Sequence, residues 1–184
     1  MTRDLPIGLA LRRFRRLNGI KQGHVAELFA VSQGSVSRWE NGTHEPDALH
    51  RERIAAFIAA HTAGDSDRAL KKLVETSTQA VHLICDATHR LLAASKARAA
   101  LWEDDAQSYI GTSLWRFASP EIIAAEEGLG DAGWFDHPYQ ALHFDTGGNN
   151  SNEIPVAPSR ICWETIPLSD GRTGRLTTTL DGHA

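Results

Sequence analysis

In the first third of the chain, apolar residues recur every three or four positions, which is the period of amphipathic helices. The pattern predicts helices over residues 8–19, 21–29, 32–40 and 48–60. Ser32 is placed to cap the third helix, because a serine hydroxyl accepts a hydrogen bond from the first turn. Val36 and Trp39 lie three positions apart in that helix and can pack inward together. The polar residues between them are therefore expected to face outward.

The pattern changes after residue 80, where short apolar runs alternate with turn residues. A helix over 67–80 is expected to lead into strands over 81–85, 91–94, 139–145, 160–168 and 172–180, with a helix over 96–102 capped by Ser95. The step Asp170–Gly171 favours a tight hairpin between the last two strands. The small and polar residues at 60–67 are the best candidate boundary. We therefore predict an N-terminal all-α domain (1–63), a linker with a possible dimerisation helix (64–80) and an α+β domain (81–184) with a five-stranded antiparallel sheet.

Charge divides the chain at nearly the same point. Residues 1–63 contain nine Lys and Arg and six Asp and Glu, which gives a net charge of +3. The remaining residues have a net charge of −7, so the whole chain has a net charge of −4. This asymmetry suggests that the N-terminal domain meets a polyanion. No secretory signal and no apolar run of 18 residues is present, so no membrane association is expected. The two cysteines, Cys85 and Cys162, stand far apart, which fits a protein of the reducing cytoplasm.

The residues around the third predicted helix carry a specific resemblance. Lys21-Gln22, Ala26, the run 31–42 with its Val-Ser-Gln-Gly-Ser-Val-Ser-Arg-Trp-Glu-Asn-Gly sequence, and Pro46 resemble the helix-turn-helix of the Cro/C1 (XRE) family of DNA-binding proteins. In that family a recognition helix enters the major groove of the duplex. The resemblance covers about the first third of the chain and implies double-stranded DNA as the partner.

The resemblance also implies roles for individual residues. Base edges are expected to be contacted by Gln33, Gly34, Ser37 and Arg38, and phosphates by Lys21, Gln22, Ser35, Asn41 and Thr43. The fork of Arg38 matches guanine O6 and N7, and Gln33 can pair with adenine in the same way. Gln22 is also expected to support Gln33. Glu40 is interpreted as structural, as a brace either for its own helix or for an arginine of the first helix. The first-helix arginines (Arg12, Arg13, Arg15 and Arg16) are interpreted as a solvated face, of which one or two residues could also bind phosphate.

The second domain resembles a PAS domain. The resemblance rests on the strand that ends at Asp86, on the run 89–95 that leads into a helix, on the Gly-Thr-Ser-Leu-Trp step at 111–115, and on the closing hairpin at 167–181. His89 and Ser95 depart from the glycine and asparagine common in such domains. PAS domains dimerise or bind small ligands between sheet and helices. The resemblance therefore implies a homodimer and a candidate site for a small molecule or protein partner.

Aromatic residues supply the candidate pocket of this domain. Its expected lining residues are Trp115, Phe117, Trp134, Phe144 and Trp163, although such residues more often simply fill a core. His137 would be the first candidate to bind haem, but a histidine that precedes a proline is more often a surface group. No cofactor and no metal is expected, since His137 and His143 lack the spacing of a metal site.

Three other kinds of protein compete with a regulator: a self-cleaving peptidase, a cupin-like metal protein, for which His137 and His143 lack the H-x-H spacing and a matching glutamate, and an antitoxin-like or adaptor protein. A self-cleaving Ser–Lys peptidase, suggested by Ala63–Gly64, needs a neutral lysine as base, but the last lysine is Lys96 and none lies in the later strands. We therefore expect no enzymatic activity and no catalytic residue. The alternative is an antitoxin-like or adaptor protein whose second domain binds a protein partner. The preferred hypothesis is a dimeric transcriptional regulator that reads palindromic DNA sites.

Overall fold

The computed structural model describes residues 5–60, 67–137 and 139–180. The N-terminal domain contains helices α1 (Ile7–Leu17), α2 (Gln22–Phe29), α3 (Gln33–Glu40) and α4 (Ala48–Ala60). All four predicted helices are confirmed, with small shifts at their ends. The proposed boundary at 60–67 and the Ala63–Gly64 step lie almost wholly outside the described residues.

Local signals fix where these helices begin and end. The Ser32 hydroxyl accepts a hydrogen bond from the Ser35 amide (3.1 Å) and so caps α3. Gly19 after α1 and Gly42 after α3 have φ angles of 63° and 68°. Those left-handed conformations suit glycine, which has no Cβ to clash. The turn between α2 and α3 uses Ala30 in a left-handed conformation as well.

A compact apolar core holds the four helices together. Leu11, Val36 and Ile54, from α1, α3 and α4, are fully buried. Gly8 permits α1 to lie directly on the end of α3, since a Cβ at this position would come within 2.0 Å of the Trp39 carbonyl oxygen. This packing fixes which face of α3 points inward.

The C-terminal domain is an antiparallel sheet flanked by helices. It comprises α5 (Arg68–Thr76), β1 (Val81–Cys85), β2 (Leu91–Ala94), α6 (Lys96–Ala99), α7 (Ala106–Tyr109), a 3-10 helix (Leu114–Phe117), α8 (Pro120–Glu127), β3 (Ala141–Thr146), β4 (Ser159–Pro167) and β5 (Thr173–Leu180). In the part of the chain that the structure describes, the sheet has five strands in the order β2-β1-β5-β4-β3, all neighbours antiparallel. The predicted fold class is confirmed. The predicted helices over 67–80 and 96–102 are too long, since α5 ends before Ser77 turns extended and α6 ends at Ala99.

The two faces of the sheet are covered by different helices. α5 packs on β1 and β2 through Leu70 and Val74, whereas Leu73 of the same helix is 70% exposed. α8 packs on β3 at the opposite edge of the sheet. His82, Ile84 and Arg175 on the central strands line a cavity on the face opposite α5.

Candidate nucleic-acid interface and cavity

Helix α3 presents a polar outer face. Gln33, Gly34 and Arg38 are exposed and Ser37 is partly exposed, whereas Val36 and Trp39 are buried in the core. The structure thus brings the four predicted base-contact residues together on one accessible surface. The expectation that Val36 and Trp39 belong to the core is confirmed.

Arg38 is held only loosely on this surface. Its Nη2 atom donates a hydrogen bond to the Ser35 hydroxyl at 3.2 Å, in an exposed position. Among the described residues no carboxylate lies within ion-pair distance of Arg38. A guanidinium with this environment is free to pair with an anion or a base edge of another molecule.

A buried carboxylate joins the helices beneath this surface. Glu40, 3% exposed, accepts hydrogen bonds from Arg15 Nε and Nη2 at 2.7 and 2.8 Å and from Gln22 Nε2 at 2.8 Å. These contacts tie α1, α2 and α3 together, so the interpretation of Glu40 as a brace is confirmed. Among the hydrogen bonds of the described residues, the Gln22 amide donates to Glu40 and not to Gln33, so the expected support of Gln33 by Gln22 is not seen.

The remaining predicted phosphate residues surround α3. Lys21, Asn41 and Thr43 are exposed and Ser35 is partly exposed. The Thr43 hydroxyl donates to the Arg38 carbonyl at 3.2 Å and holds the chain close to the end of α3. These side chains therefore lie on α3, directly after it, or at the start of α2.

Arg13 contradicts the expectation that the arginines of the first helix form a solvated face. It is 2% exposed, and it reaches into the C-terminal domain. Its Nε donates to the Asp86 carbonyl and its Nη2 to Asp86 Oδ1, both at 2.7 Å, while Nη1 pairs with Glu126. The physical reason is position: three and four residues from Ala10 and Leu17, Arg13 shares a buried helix face with them.

A second arginine completes this ion cluster, which we define as Arg13, Asp86, Glu126 and Arg175. Arg175 donates to Asp86 Oδ1 at 2.5 Å and to Glu126 Oε2 at 2.8 Å. Trp134 donates from Nε1 to Asp86 Oδ2 at 3.1 Å. Two positive and two negative charges therefore balance inside the contact between the domains.

The electrostatics of the cluster follow from burial and from these pairs. Burial lowers the pKa of Arg13 to about 9, despite the opposing effect of Asp86. Burial by itself opposes ionisation of Asp86, but the guanidinium groups of Arg175 and Arg13 hold its pKa below the usual value. Burial, together with the charges of Arg13 and Arg175, places the pKa of the neighbouring His89 well below its ordinary value. His89 is therefore neutral at pH 7.

A cavity of about 190 Å³ lies between the sheet and the helices of the C-terminal domain. Of the five aromatic residues expected at the pocket, Trp115, Phe117 and Trp163 line it. Trp134 and Phe144 do not, and that part of the prediction is wrong. Both make edge-to-face contacts with Trp163, in an apolar cluster that also contains Ile122 and Ala125 of α8.

Sequence reasoning missed the polar lining of the cavity, which includes His82, His89, Arg98, Glu126 and Arg175. The alternation of β1 and β5 could have indicated some of these residues, because every second residue of a strand faces the same side. Nothing in the local pattern links Glu126 to them. His137 and His143 are exposed, and the described residues contain no group of three or more potential metal ligands.

A known protein family matches the N-terminal part of the chain. Residues 6–71 match the family model described as "Helix-turn-helix domain". The N-terminal domain is therefore a helix-turn-helix domain. No curated protein sequence matches the chain.

Two solved structures are similar to the chain at low identity. One is the PAS domain of an HTR-like protein from Haloarcula marismortui, with 15% identity and a TM-score of 0.40 over 64% of this chain and 97% of that one. The other is an RNA-binding light-oxygen-voltage receptor, with 13% identity and a TM-score of 0.40 over 96% of this chain. This chain spans 58% of the length of that receptor. Within the described ranges, no helix has the length and apolar character needed to cross a bilayer.

Proposed function

We propose that this chain is a sequence-specific, double-stranded-DNA-binding transcriptional regulator of the Cro/C1 (XRE) type, without enzymatic activity. The observation that carries the proposal is the outer face of α3. Its polar residues are accessible and Arg38 has no carboxylate partner among the described residues, while Val36 and Trp39 hold the helix rigidly on the core. A short helix with an accessible polar face of this size fits the major groove.

Each residue of that face has a distinct role in the proposal. Arg38 donates two hydrogen bonds to guanine O6 and N7, and Gln33 pairs with adenine. Ser37 is within reach of a base edge or of the adjacent backbone. Gly34 leaves space for a thymine methyl group.

The surrounding residues would fix the position of the helix on the duplex. Lys21, Ser35, Asn41 and Thr43 bind phosphates, which set register but carry no sequence information. Gln22 uses one amide N–H for Glu40, and its second N–H remains for a phosphate. Glu40 would act indirectly, by keeping α2 and α3 at a fixed angle.

We further propose that the chain acts as a homodimer on palindromic sites in the cytoplasm of a bacterium. A single helix-turn-helix domain buries a small interface and discriminates poorly between sequences. Two copies one helical turn apart read both halves of a palindrome. The exposed Leu73 on α5 supports a second copy as partner, because the opposite side of that helix already packs on the sheet.

The experiment begins with selection of bound duplexes from a random pool, followed by anisotropy titrations at several salt concentrations. We expect a palindromic site to emerge, and Arg38→Ala to weaken binding to it by about 1–3 kcal/mol. On random duplex the same variant should change affinity much less. Arg51→Ala is the matched control, since Arg51 is an exposed arginine of the same domain on α4.

Three results would count against the proposal. If the selection enriches no DNA sequence, the proposal that the chain binds DNA in a sequence-specific way is overturned. Equal weakening by Arg38→Ala on selected and random duplex would assign Arg38 to the backbone only. Light scattering that finds one chain per palindromic duplex would overturn the homodimer and leave DNA reading intact.

A further inference from the structure

The cavity of the C-terminal domain is lined largely by apolar side chains, and its volume limits what it can hold. Its apolar lining includes Ile84, Trp102, Leu114, Phe117 and Trp163. Apolar cavities of roughly 150 Å³ bind benzene. At about 190 Å³, this cavity therefore has room for one six-membered ring with a small substituent.

The cavity also contains buried polar atoms that have no partner. His89 is 4% exposed and lines the cavity; its Nδ1 has no hydrogen-bond partner among the described residues, whereas its Nε2 lies 3.4 Å from Glu126 Oε2. His82 Nδ1 and Arg98 Nε likewise have no hydrogen-bond partner among those residues. Buried polar groups in proteins are nearly always hydrogen-bonded, so this set of unpaired donors and acceptors indicates an occupant.

The charge of the lining indicates the sign of that occupant. The Nη2 atom of Arg98 donates only to neutral oxygens, the Ala80 carbonyl at 2.8 Å and the Thr179 hydroxyl at 2.7 Å. In the described part of the chain no carboxylate pairs with it, whereas the other cavity arginine, Arg175, is neutralised by Asp86 and Glu126. The cavity therefore has one uncompensated positive charge.

The histidines do not change this balance at neutral pH. Burial, together with the neighbouring guanidinium groups, places the pKa values of His82 and His89 well below the ordinary value. Burial lowers the pKa of Arg98 to about 10, so its guanidinium is still charged at pH 7. His82 lies opposite Thr177 in the β1–β5 register. Thr177 is two residues from Arg175 and two residues from Thr179, whose hydroxyl accepts a hydrogen bond from Arg98.

We propose that this cavity binds a small aromatic monocarboxylate of about the size of benzoate, with its carboxylate on Arg98 and its ring among Trp102, Phe117 and Trp163. The carboxylate accepts a hydrogen bond from Arg98 Nε and, when His82 carries its proton on Nδ1, from that ring. A planar carboxylate suits a guanidinium better than a spherical anion does. The ring packs against the apolar side chains of the lining. The site does not depend on DNA binding, so it stands or fails separately from the proposed function.

The test compares benzoate with benzyl alcohol, which has a similar ring and no charge. Binding to the full-length chain is measured by calorimetry and by the fluorescence of the lining tryptophans. We expect benzoate to bind more tightly than benzyl alcohol, with an advantage that shrinks as salt is raised. In Arg98→Met, benzoate should lose about 10-fold to 100-fold in affinity, as for a lost charge-assisted hydrogen bond, while benzyl alcohol binds as before.

Arg160→Met is the matched control. Arg160 lies on β4, between the lining residues Ser159 and Ile161, but does not itself line the cavity. This variant should leave both affinities unchanged. Equal binding of the two compounds to the unmodified chain would overturn the proposal, and so would an Arg98→Met variant that keeps its benzoate affinity. If Arg98→Met does not fold, the comparison of the two compounds and its salt dependence on the unmodified chain still decides.

Discussion

Arg13 and Arg38 belong to the same small domain, yet they stand in opposite environments. Arg38 lies on an exposed helix face and contacts a serine hydroxyl. Arg13 is 2% exposed and is surrounded by Asp86 and Glu126 of the other domain. A buried charge requires a matched partner, whereas an exposed one is available to another molecule. One arginine therefore joins the two domains, and the other is placed to read a ligand outside the chain.

The contrast also separates two kinds of specificity. The ion cluster holds the N-terminal domain against the C-terminal domain in one arrangement, because its charges balance only when all four groups meet. The surface of α3 has no such internal partner for Arg38 in the described residues. Changes to the cluster should therefore act on stability, and changes to α3 on binding.

The largest expected effect follows from removing Arg13. In Arg13→Met the two buried carboxylates Asp86 and Glu126 share only Arg175, so we expect a loss of about 3–5 kcal/mol in the free energy of unfolding. Urea denaturation followed by tryptophan fluorescence measures it. Arg12→Met, a change in the adjacent residue of the same helix, is the control and should cost no more than about 0.5 kcal/mol.

Equal effects of the two substitutions would contradict the distinction drawn between the buried Arg13 and the partly exposed Arg12. A double variant adds a sharper test. In Arg13→Met with Glu126→Gln one unpaired carboxylate is gone, so part of the lost stability should return.

An intermediate effect is expected from pH. His82 and His89 are neutral in the folded protein, and their pKa values lie well below the 6.5 of an unfolded chain. The unfolded chain therefore binds more protons, and the free energy of unfolding falls as pH drops below about 6.5. The slope should approach 1.4 kcal/mol per pH unit for each histidine.

The variant His89→Asn isolates one of these two contributions. His89 has a φ of 55°, and asparagine is one of the few residues that tolerate this left-handed conformation. Between pH 6.5 and 5, the free energy of unfolding of the variant should depend less steeply on pH, by the contribution of one histidine. An unchanged slope, measured by denaturation at each pH, would show that His89 takes up a proton without unfolding.

The smallest effect is expected at Gly34. Alanine favours a helix over glycine by about 0.5–1 kcal/mol, so Gly34→Ala should raise the melting temperature. A Cβ here would lie 3.4 Å from Arg38 Nη1, so the guanidinium must shift slightly. We expect a change in preference among DNA sites that is smaller than the effect of Arg38→Ala.

Gly23→Ala provides the control for this change. Gly23 lies inside α2, and a Cβ there would meet nothing within 4 Å. It should stabilise the protein in the same way and leave DNA preference unaltered. If both variants change the preference among DNA sites equally, the absence of a side chain at Gly34 does not contribute to the recognition of DNA sequence.

Local signals made much of the fold predictable. Ser32 and Ser95 cap helices by accepting amide hydrogen bonds in their own first turns. Gly171, at a φ of 82°, forms the hairpin between β4 and β5. These effects act over three or four residues, so a single sequence contains all the information they need.

The sequence by itself therefore determined the helices of the first domain, the strands of the second, and the polar face of α3. Only the tertiary structure decided that Arg13 is buried and that Trp134 and Phe144 stand away from the cavity. The reason is distance along the chain: Arg13 meets Asp86 across 73 residues, and Arg175 meets Glu126 across 49. The helical period shows which face of a helix is turned inward. Which group that face contacts depends on how elements that are distant in the sequence pack together.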